Sequence, residues 1–303
     1  MSYLFSPLTI KSITLRNRIG VAPMCQYSAI DGVAQAWHMS QLGSKAVGGA
    51  GLVITEATAV LPEGRITPAC MGLWNNDQVE ALKPIIAFIK SQGAVAGMQL
   101  AHSGRKGSSA PPWIGGQQLT DAEGGWDTLG PTDAPFDDDG TRLWKTPKQM
   151  SQTDIDRVQD GFVAAAGRAV EAGYELLEIH CAHGYLLHSF LSPLVNTRND
   201  GYGGDLRGRA KFLLETTQKV REVWPQHLPL AVRLSMTDWV EGGLTVQDNI
   251  QVATWLKDLG VDFVDCSSGG ATPAARGSIN GGITQQVGMA ADLRQSTGLM
   301  SMA

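Results

Sequence analysis

The segment Glu178-Ile179-His180-Cys181-Ala182-His183-Gly184-Tyr185-Leu186 gathers two imidazoles and a phenol within six residues. It follows directly on the apolar run Tyr174 to Ile179, itself preceded by a helix-like segment ending at Gly173. A short apolar run in that context reads as a parallel strand, with His180 as its last inward side chain. Two ring N–H donors beside a potential proton donor suit a carbonyl oxygen that gains negative charge during a reaction. The same side chains could also satisfy one another at a strand end, or hold a metal. Ionisable groups gathered at a strand end favour a functional reading.

The elements that must position this cluster alternate along the chain. Arg18 to Ala22, Leu52 to Ala59, Ala94 to Leu100, Glu175 to His180, Leu230 to Ser235 and Asp262 to Ser267 are short apolar runs. Helical candidates lie between and after them, near Trp37 to Val47, Asp77 to Ser91, Asp154 to Ala172, Leu206 to Val223, Val246 to Leu259 and Thr284 to Thr297. Ser151 or Thr153 is a natural N-cap for the third, and Gly173 and Gly260 act as C-terminal stops. The alternation predicts a parallel sheet covered by helices. No Gly-x-Gly-x-x-Gly follows the first strand, so a (β/α)8 TIM barrel is expected rather than a doubly wound dinucleotide fold.

Six β/α units can be counted, and Leu299-Met300-Ser301-Met302-Ala303 resembles the opening of a seventh strand. The expectation is one barrel domain over 1–303, truncated after the start of that strand, which would leave two sheet edges unpaired. The interval 101–152 breaks the rhythm with Pro111-Pro112-Trp113, Gly124-Gly125-Trp126 and the acidic run Asp137-Asp138-Asp139-Gly140. An insertion of that length after the third strand is expected to act as a lid at the barrel mouth. The acidic run reads as a solvated turn.

Strand parity gives an inward set. If His180 points into the barrel, so does Glu178, while Leu177 and Ile179 face the helices. The same alternation turns Gln99 and Arg233 inward, with Met98, Leu100, Val232 and Leu234 outward. These inward groups would line a polar pocket, or Arg233 would neutralise Glu178 as a structural ion pair.

Four motifs in order resemble the old yellow enzyme family, closest to its thiol-containing bacterial class. They are Ala22-Pro23-Met24-Cys25-Gln26-Tyr27, Gln99-Leu100-Ala101-His102-Ser103-Gly104-Arg105-Lys106, the His180 to Leu186 segment with Ile179, and Asn196-Thr197-Arg198-Asn199-Asp200-Gly201-Tyr202-Gly203-Gly204. The resemblance implies a (β/α)8 barrel that holds FMN non-covalently and reduces activated alkenes with NAD(P)H. It matches Ala22, Pro23, Met24, Cys25 and Ala57 to flavin-flanking positions, Gln99 to a hydrogen-bond donor to the pyrimidine, and Arg233 to the cation near the ring's N1–C2 edge. His180 and His183 match the pair that grips the substrate carbonyl, Tyr185 the proton donor and Tyr27 a substrate-side phenol. Small-molecule enones, enals, maleimides and nitro compounds are the implied acceptors. His102, a lone histidine past a strand, reads as structural or lid-associated. Gly208 stands where the family usually carries Asn. The family's FMN phosphate site comes from its last two strands, which the six-unit count does not reach.

Composition narrows the alternatives. Of 303 residues, 43% are hydrophobic and 17% charged, an ordinary globular balance. The net charge of -5 comes without a Lys/Arg run, so neither nucleic acid nor anionic membrane is an expected partner. Met1-Ser2-Tyr3-Leu4-Phe5-Ser6-Pro7 lacks a cationic region followed by an apolar one, and no apolar run reaches membrane-spanning length. The four cysteines, Cys25, Cys70, Cys181 and Cys266, form no Cys-x-x-Cys pair and fit reduced thiols in a cytoplasm. They also lack the clustering an iron–sulfur cluster needs. A homo-oligomer stays open. The competing expectations are a metal-dependent hydrolase using His180 and His183, and a barrel fragment inactive without a partner.

Overall fold

An antiparallel hairpin, β1 (Leu8–Ile10) and β2 (Ile13–Leu15), precedes the barrel strands. The computed structural model describes residues 3–137, 144–274 and 285–303. After the hairpin come β3 (Gly20–Val21), β4 (Leu52–Ala59) and β5 (Val95–Ala101), then the short pair β6 (Leu129–Gly130) and β7 (Lys148–Gln149). They are followed by β8 (Leu176–Cys181), β9 (Leu230–Ser235), β10 (Phe263–Ser267) and β11 (Met300–Met302). The helices are α1 (Ala36–Val47), α2 (Asn76–Ser91), α3 (Gln152–Ala172), α4 (Leu186–Leu191), α5 (Leu206–Val223), α6 (Val246–Asp258) and α7 (Gln285–Thr297). Thr284, the expected start of α7, and Asp138 to Gly140 of the acidic run lie outside the described residues.

Seven strands form one parallel sheet in the order β11-β10-β9-β8-β5-β4-β3, each new β/α unit adding beside the last. The sheet curls. A Cβ built on Gly20 of β3 would lie 3.2 Å from Met302 Sδ of β11, so the first and last strands approach across the floor. Each of these two strands has one strand partner among the described residues.

The strands are buried on both faces, as a parallel sheet under helices requires. Met98, Leu100, Leu177, Ile179, Val232 and Leu234 face the helix layer and share a core with Ile86, Phe162 and Phe212. A second, smaller cluster fills the barrel floor: Leu52, Ile54, Val95, Leu176, Ala231 and Phe263, closed from below by Ile10, Ile13 and Leu15 of the hairpin. The alternation read from sequence is therefore the alternation of the barrel wall.

Helix ends follow from local chemistry. Ser151 caps α3 in a reciprocal box with Asp154, and Gly173 ends it at φ 95°, a left-handed conformation open to glycine. At α5 the Asp205 carboxylate accepts from the Gly208 N–H at 2.8 Å, so the cap survives without Asn. A Cβ at Gly208 would sit 2.1 Å from the Gly203 carbonyl oxygen, which explains the glycine there by close backbone approach. Arg209 donates to the Leu191 carbonyl, and Phe212 packs edge-to-face on Phe190.

The described residues of the insertion after β5 form three single-turn 3-10 segments and the β6–β7 pair. It is tied down across several barrel loops. Arg105 donates to the carbonyls of Ala134, Pro135 and Ala271, and Lys106 to those of His183 and Gly270. Trp126 Nε1 reaches the Glu63 carbonyl. The Asn196 to Gly204 motif serves the same fastening: Asn196 donates to the Phe190 and Tyr202 carbonyls, and Arg198 to those of Pro131 and Met150.

Candidate active site

Register brings the inward polar residues of four strands side by side. Gln99 of β5 pairs with Glu178 of β8, His180 of β8 with Arg233 of β9, and Arg233 with Asp265 of β10. Gln99, His180 and Arg233 sit toward the C-terminal strand ends, where barrel sites form, with Glu178 and Asp265 mid-strand. Gln99 Nε2 donates to Glu178 Oε1 at 2.7 Å. Arg233 Nε lies 3.0 Å from Asp265 Oδ2, off the N–H axis. The alternative reading, an Arg233–Glu178 ion pair, is not the one formed: the carboxylate paired with Arg233 is Asp265, one strand further on.

Each histidine has one ring nitrogen engaged. His180 Nδ1 accepts from the Ala182 N–H at 3.1 Å, which leaves the ring proton on Nε2. His183 Nε2 lies 2.6 Å from Ser267 Oγ. When that hydroxyl donates, the His183 proton sits on Nδ1. Burial first, and neighbouring positive charge second, hold both rings well below the usual histidine range, so both are neutral donors near pH 7. His180 stands edge-to-face with His183 and with Tyr185, ring centroids 5.1 Å apart in each case.

The loop bearing His183 is held in an unusual shape. His183 has φ 60° and Gly184 φ 74°. The His183 N–H donates to Ser235 Oγ, its carbonyl accepts from Lys106, and the Gly184 N–H donates to His188 Nδ1. His188 Nε2 in turn meets the buried Asp238 carboxylate at 3.1 Å. Backbone strain fixed this firmly is a common mark of a functional position. Burial also raises the Tyr185 hydroxyl well above its ordinary value, keeping its proton on.

Cys25 and Tyr27 follow β3, with Tyr27 at φ 49° and edge-on to Trp113. Burial, then Cys70 and Glu56, push the Cys25 thiol well up, so it is no thiolate nucleophile at neutral pH. Met24 is exposed and Pro23 buried. Ala57 lies where the β4–β5 register slips between Thr55 and Thr58, beside Glu56, whose carboxylate meets His38 at 3.2 Å. Tyr27 and Tyr185 also line a cavity of about 380 Å³ with Lys106, Phe136, Trp144 and Thr272. His102 stays away from this constellation: its Nδ1 accepts from the Gly104 N–H and its carbonyl from the Leu186 N–H. Among the described residues no group of three or more His, Cys, Asp or Glu side chains is placed to share a metal ion. No described helix is long and apolar enough to cross a membrane.

Sequence reasoning missed Asp265, Ser267, Ser235 and Lys106. The first two were open to it, because Asp265 and Ser267 share the parity of Arg233 in the neighbouring run.

The ring-gripping set fits a flavin. Gln99 was expected to donate to the pyrimidine, but its NH2 is taken by Glu178, so it offers its carbonyl oxygen instead; among the described residues that oxygen has no protein partner, and Arg233 has none beyond Asp265. An acceptor, donors and a cation on adjacent strand ends match a pyrimidine edge that carries one N–H and two carbonyls.

Fold and site together define a parallel α/β barrel of the flavin oxidoreductase type. Residues 3–298 match the model of the "NADH:flavin oxidoreductase / NADH oxidase family". The chain belongs to that family, which includes the old yellow enzymes and whose cofactors are FMN and NAD(P)H. It is 44% identical to the NADPH dehydrogenase of Bacillus velezensis over 89% of this chain and 75% of that one. Morphinone reductase superposes with a TM-score of 0.79 at 26% identity, over 98% of this chain and 78% of that one. A 2-naphthoyl-CoA reductase shares the fold, with a TM-score of 0.87 at 24% identity over 99% of this chain, which spans 46% of its length.

Proposed function

We propose that the chain is an ene-reductase, reducing activated C=C bonds of enones, enals, maleimides or nitro compounds. The observation that carries this is the pair of neutral imidazoles, each with one ring nitrogen left without a protein partner among the described residues, standing beside Tyr185. Gln99 and Arg233 hold the pyrimidine side of FMN, flanked by Ala22, Pro23, Met24, Cys25 and Ala57. The chemistry that FMN supplies when bound is hydride transfer, from NAD(P)H to the β-carbon of the alkene.

His180 Nε2–H and His183 Nδ1–H donate to the substrate carbonyl oxygen. Because both rings are neutral and locked from behind, they stabilise growing negative charge without surrendering a proton. Donors of this kind are each worth about 2.7–4 kcal/mol. Tyr185 delivers its proton to the α-carbon, and Tyr27 borders the substrate side. The insertion over 101–152 screens the mouth from water as a lid.

Two sheet edges support a second reading, a partner-dependent barrel that holds FMN weakly by itself, since β3 and β11 each pair on one side among the described residues. One experiment separates the two. The chain is saturated with FMN, freed of unbound flavin, and titrated anaerobically with NADPH and then cyclohexenone. A bound flavin band that bleaches and returns supports the ene-reductase. A colourless protein selects the second reading, and a band that bleaches but ignores every alkene overturns the substrate class.

A further inference from the structure

Below the two histidines lies a buried polar layer whose two carboxylates have no role in the chemistry above. It consists of Gln99, Glu178, Arg233 and Asp265, contributed by four successive strands of the sheet. Glu178 and Asp265 are both almost fully buried. Glu178 Oε1 takes the Gln99 amide, but Glu178 Oε2 is buried with no hydrogen-bond partner. Asp265 Oδ2 faces Arg233 Nε at 3.0 Å.

The layer contains two acids and one cation. Facing Glu178 are Arg233 from β9, Asp265 from β10, the uncharged Gln99 from β5, and His180 above it on its own strand. The floor beneath is apolar: Ile54, Leu176, Ala231 and Phe263. With both acids ionised the layer would hold a net negative charge in a medium that cannot solvate it. With one proton retained it is neutral.

We propose that Glu178 and Asp265 behave as a single acid that keeps one exchangeable proton, and that this pair positions Gln99 and Arg233 and sets the charge they present to the cofactor ring. Burial, reinforced by Asp265 and opposed by Arg233 and Gln99, raises the Glu178 carboxyl to about 8, and burial raises Asp265 as well. The proton resides on Glu178, because Asp265 has the guanidinium. Glu178 also governs an orientation. Ionised, it can only accept, which keeps the Gln99 NH2 toward β8 and its carbonyl toward the site; protonated, it can donate and frees the amide to turn. This second part rests on the FMN reading. Negative charge arriving on the ring holds the proton on Glu178, so in alkaline solution, where the oxidised form has lost it, solvent water returns one proton to Glu178 as two electrons enter.

The test begins with the full chain alone, with glutamate labelled at its side-chain carboxyl carbon and titrated by NMR. One carboxyl should titrate far above the rest, vanish in Glu178→Gln, and move down in Asp265→Asn, where the like charge is gone and Arg233 is unpaired. Glutamates that all titrate in the ordinary range, or a high one indifferent to Asp265→Asn, would overturn the pair. If Glu178→Gln fails to fold, the Asp265→Asn shift still decides. In the FMN-loaded chain, the midpoint potential above pH 8 should fall with pH less steeply in Glu178→Gln, by one proton per two electrons, or 29.6 mV per tenfold change in proton activity. An unchanged slope overturns the redox part. Failure to load FMN counts against the functional reading and leaves the titration standing.

Discussion

Ser267→Ala removes an atom that touches neither substrate nor cofactor in the proposed scheme, yet it should slow alkene reduction. Ser267 Oγ lies 2.6 Å from His183 Nε2 and has no other hydrogen-bond partner among the described residues. In the proposed scheme its hydroxyl donates to Nε2 and so keeps the ring proton on Nδ1, the nitrogen left to face the substrate. Without it, His183 can move its proton to the wrong side, where it donates to nothing. A hydrogen bond of this type is worth about 0.5–1.5 kcal/mol net, so kcat/KM for an enone should fall about 2- to 13-fold. The assay is stopped-flow reoxidation of the NADPH-reduced chain by cyclohexenone, in wild type, Ser267→Ala, His183→Ala and the double variant. In the His183→Ala background the serine substitution should be silent, because its effect runs entirely through that ring. An equal loss in both backgrounds, or no loss in the first, would refute the tautomer reasoning.

Tyr185→Phe should slow alkene reduction about 10²–10⁴-fold, with the NADPH half-reaction intact, read by following each half-reaction separately. Gly184→Ala should cost more than about 2 kcal/mol of stability, because the residue has φ 74° and a Cβ would sit 2.0 Å from the Gly270 carbonyl oxygen. A lower urea midpoint at unchanged slope would show it, and a wild-type midpoint would contradict it. His102 gives the acid dependence. Burial depresses its imidazole to about 4, against an ordinary value of 6.5, so the unfolded chain binds the extra proton between those values. The stabilisation is complete above about pH 6.5 and is lost as pH falls through 4, roughly 3 kcal/mol in all. His102→Gln should flatten that part of the urea-unfolding profile between pH 7 and 4.

How far the fold could be read from sequence varied with the kind of signal. Leu52 to Ala59, Leu230 to Ser235 and Leu206 to Val223 emerge with the expected bounds, because uninterrupted strand runs and a capped amphipathic helix leave little choice. Other strand ends slip by a residue or two, since ladder hydrogen bonds rather than hydrophobicity decide them. The six-residue α4, Leu-Leu-His-Ser-Phe-Leu, was invisible: every residue is buried, so no periodicity survives. The β1–β2 hairpin, with three-residue strands, was equally silent. At the site, parity correctly turned Gln99, Glu178, His180 and Arg233 inward. It offered only Glu178 as a carboxylate partner for Arg233; Asp265 shares that face too, and side-chain reach decides. Parity could have turned Ser267 inward as well, but not shown that it stands behind His183, a contact between residues 84 apart in sequence.

The hairpin that closes the barrel floor leaves the ribosome before its seat, which is built from Leu52, Ile54, Val95, Leu176, Ala231 and Phe263, with Met300 and Met302 alongside. At ~5–20 residues per second, that seat takes roughly tens of seconds to be synthesised. Ile10, Ile13 and Leu15 must therefore wait in a nascent chain with nowhere to dock. Vectorial synthesis makes this stretch a natural client for a holding chaperone. Lesions in it would then show first as poor yield and aggregation, long before they changed the chemistry at the opposite end of the barrel.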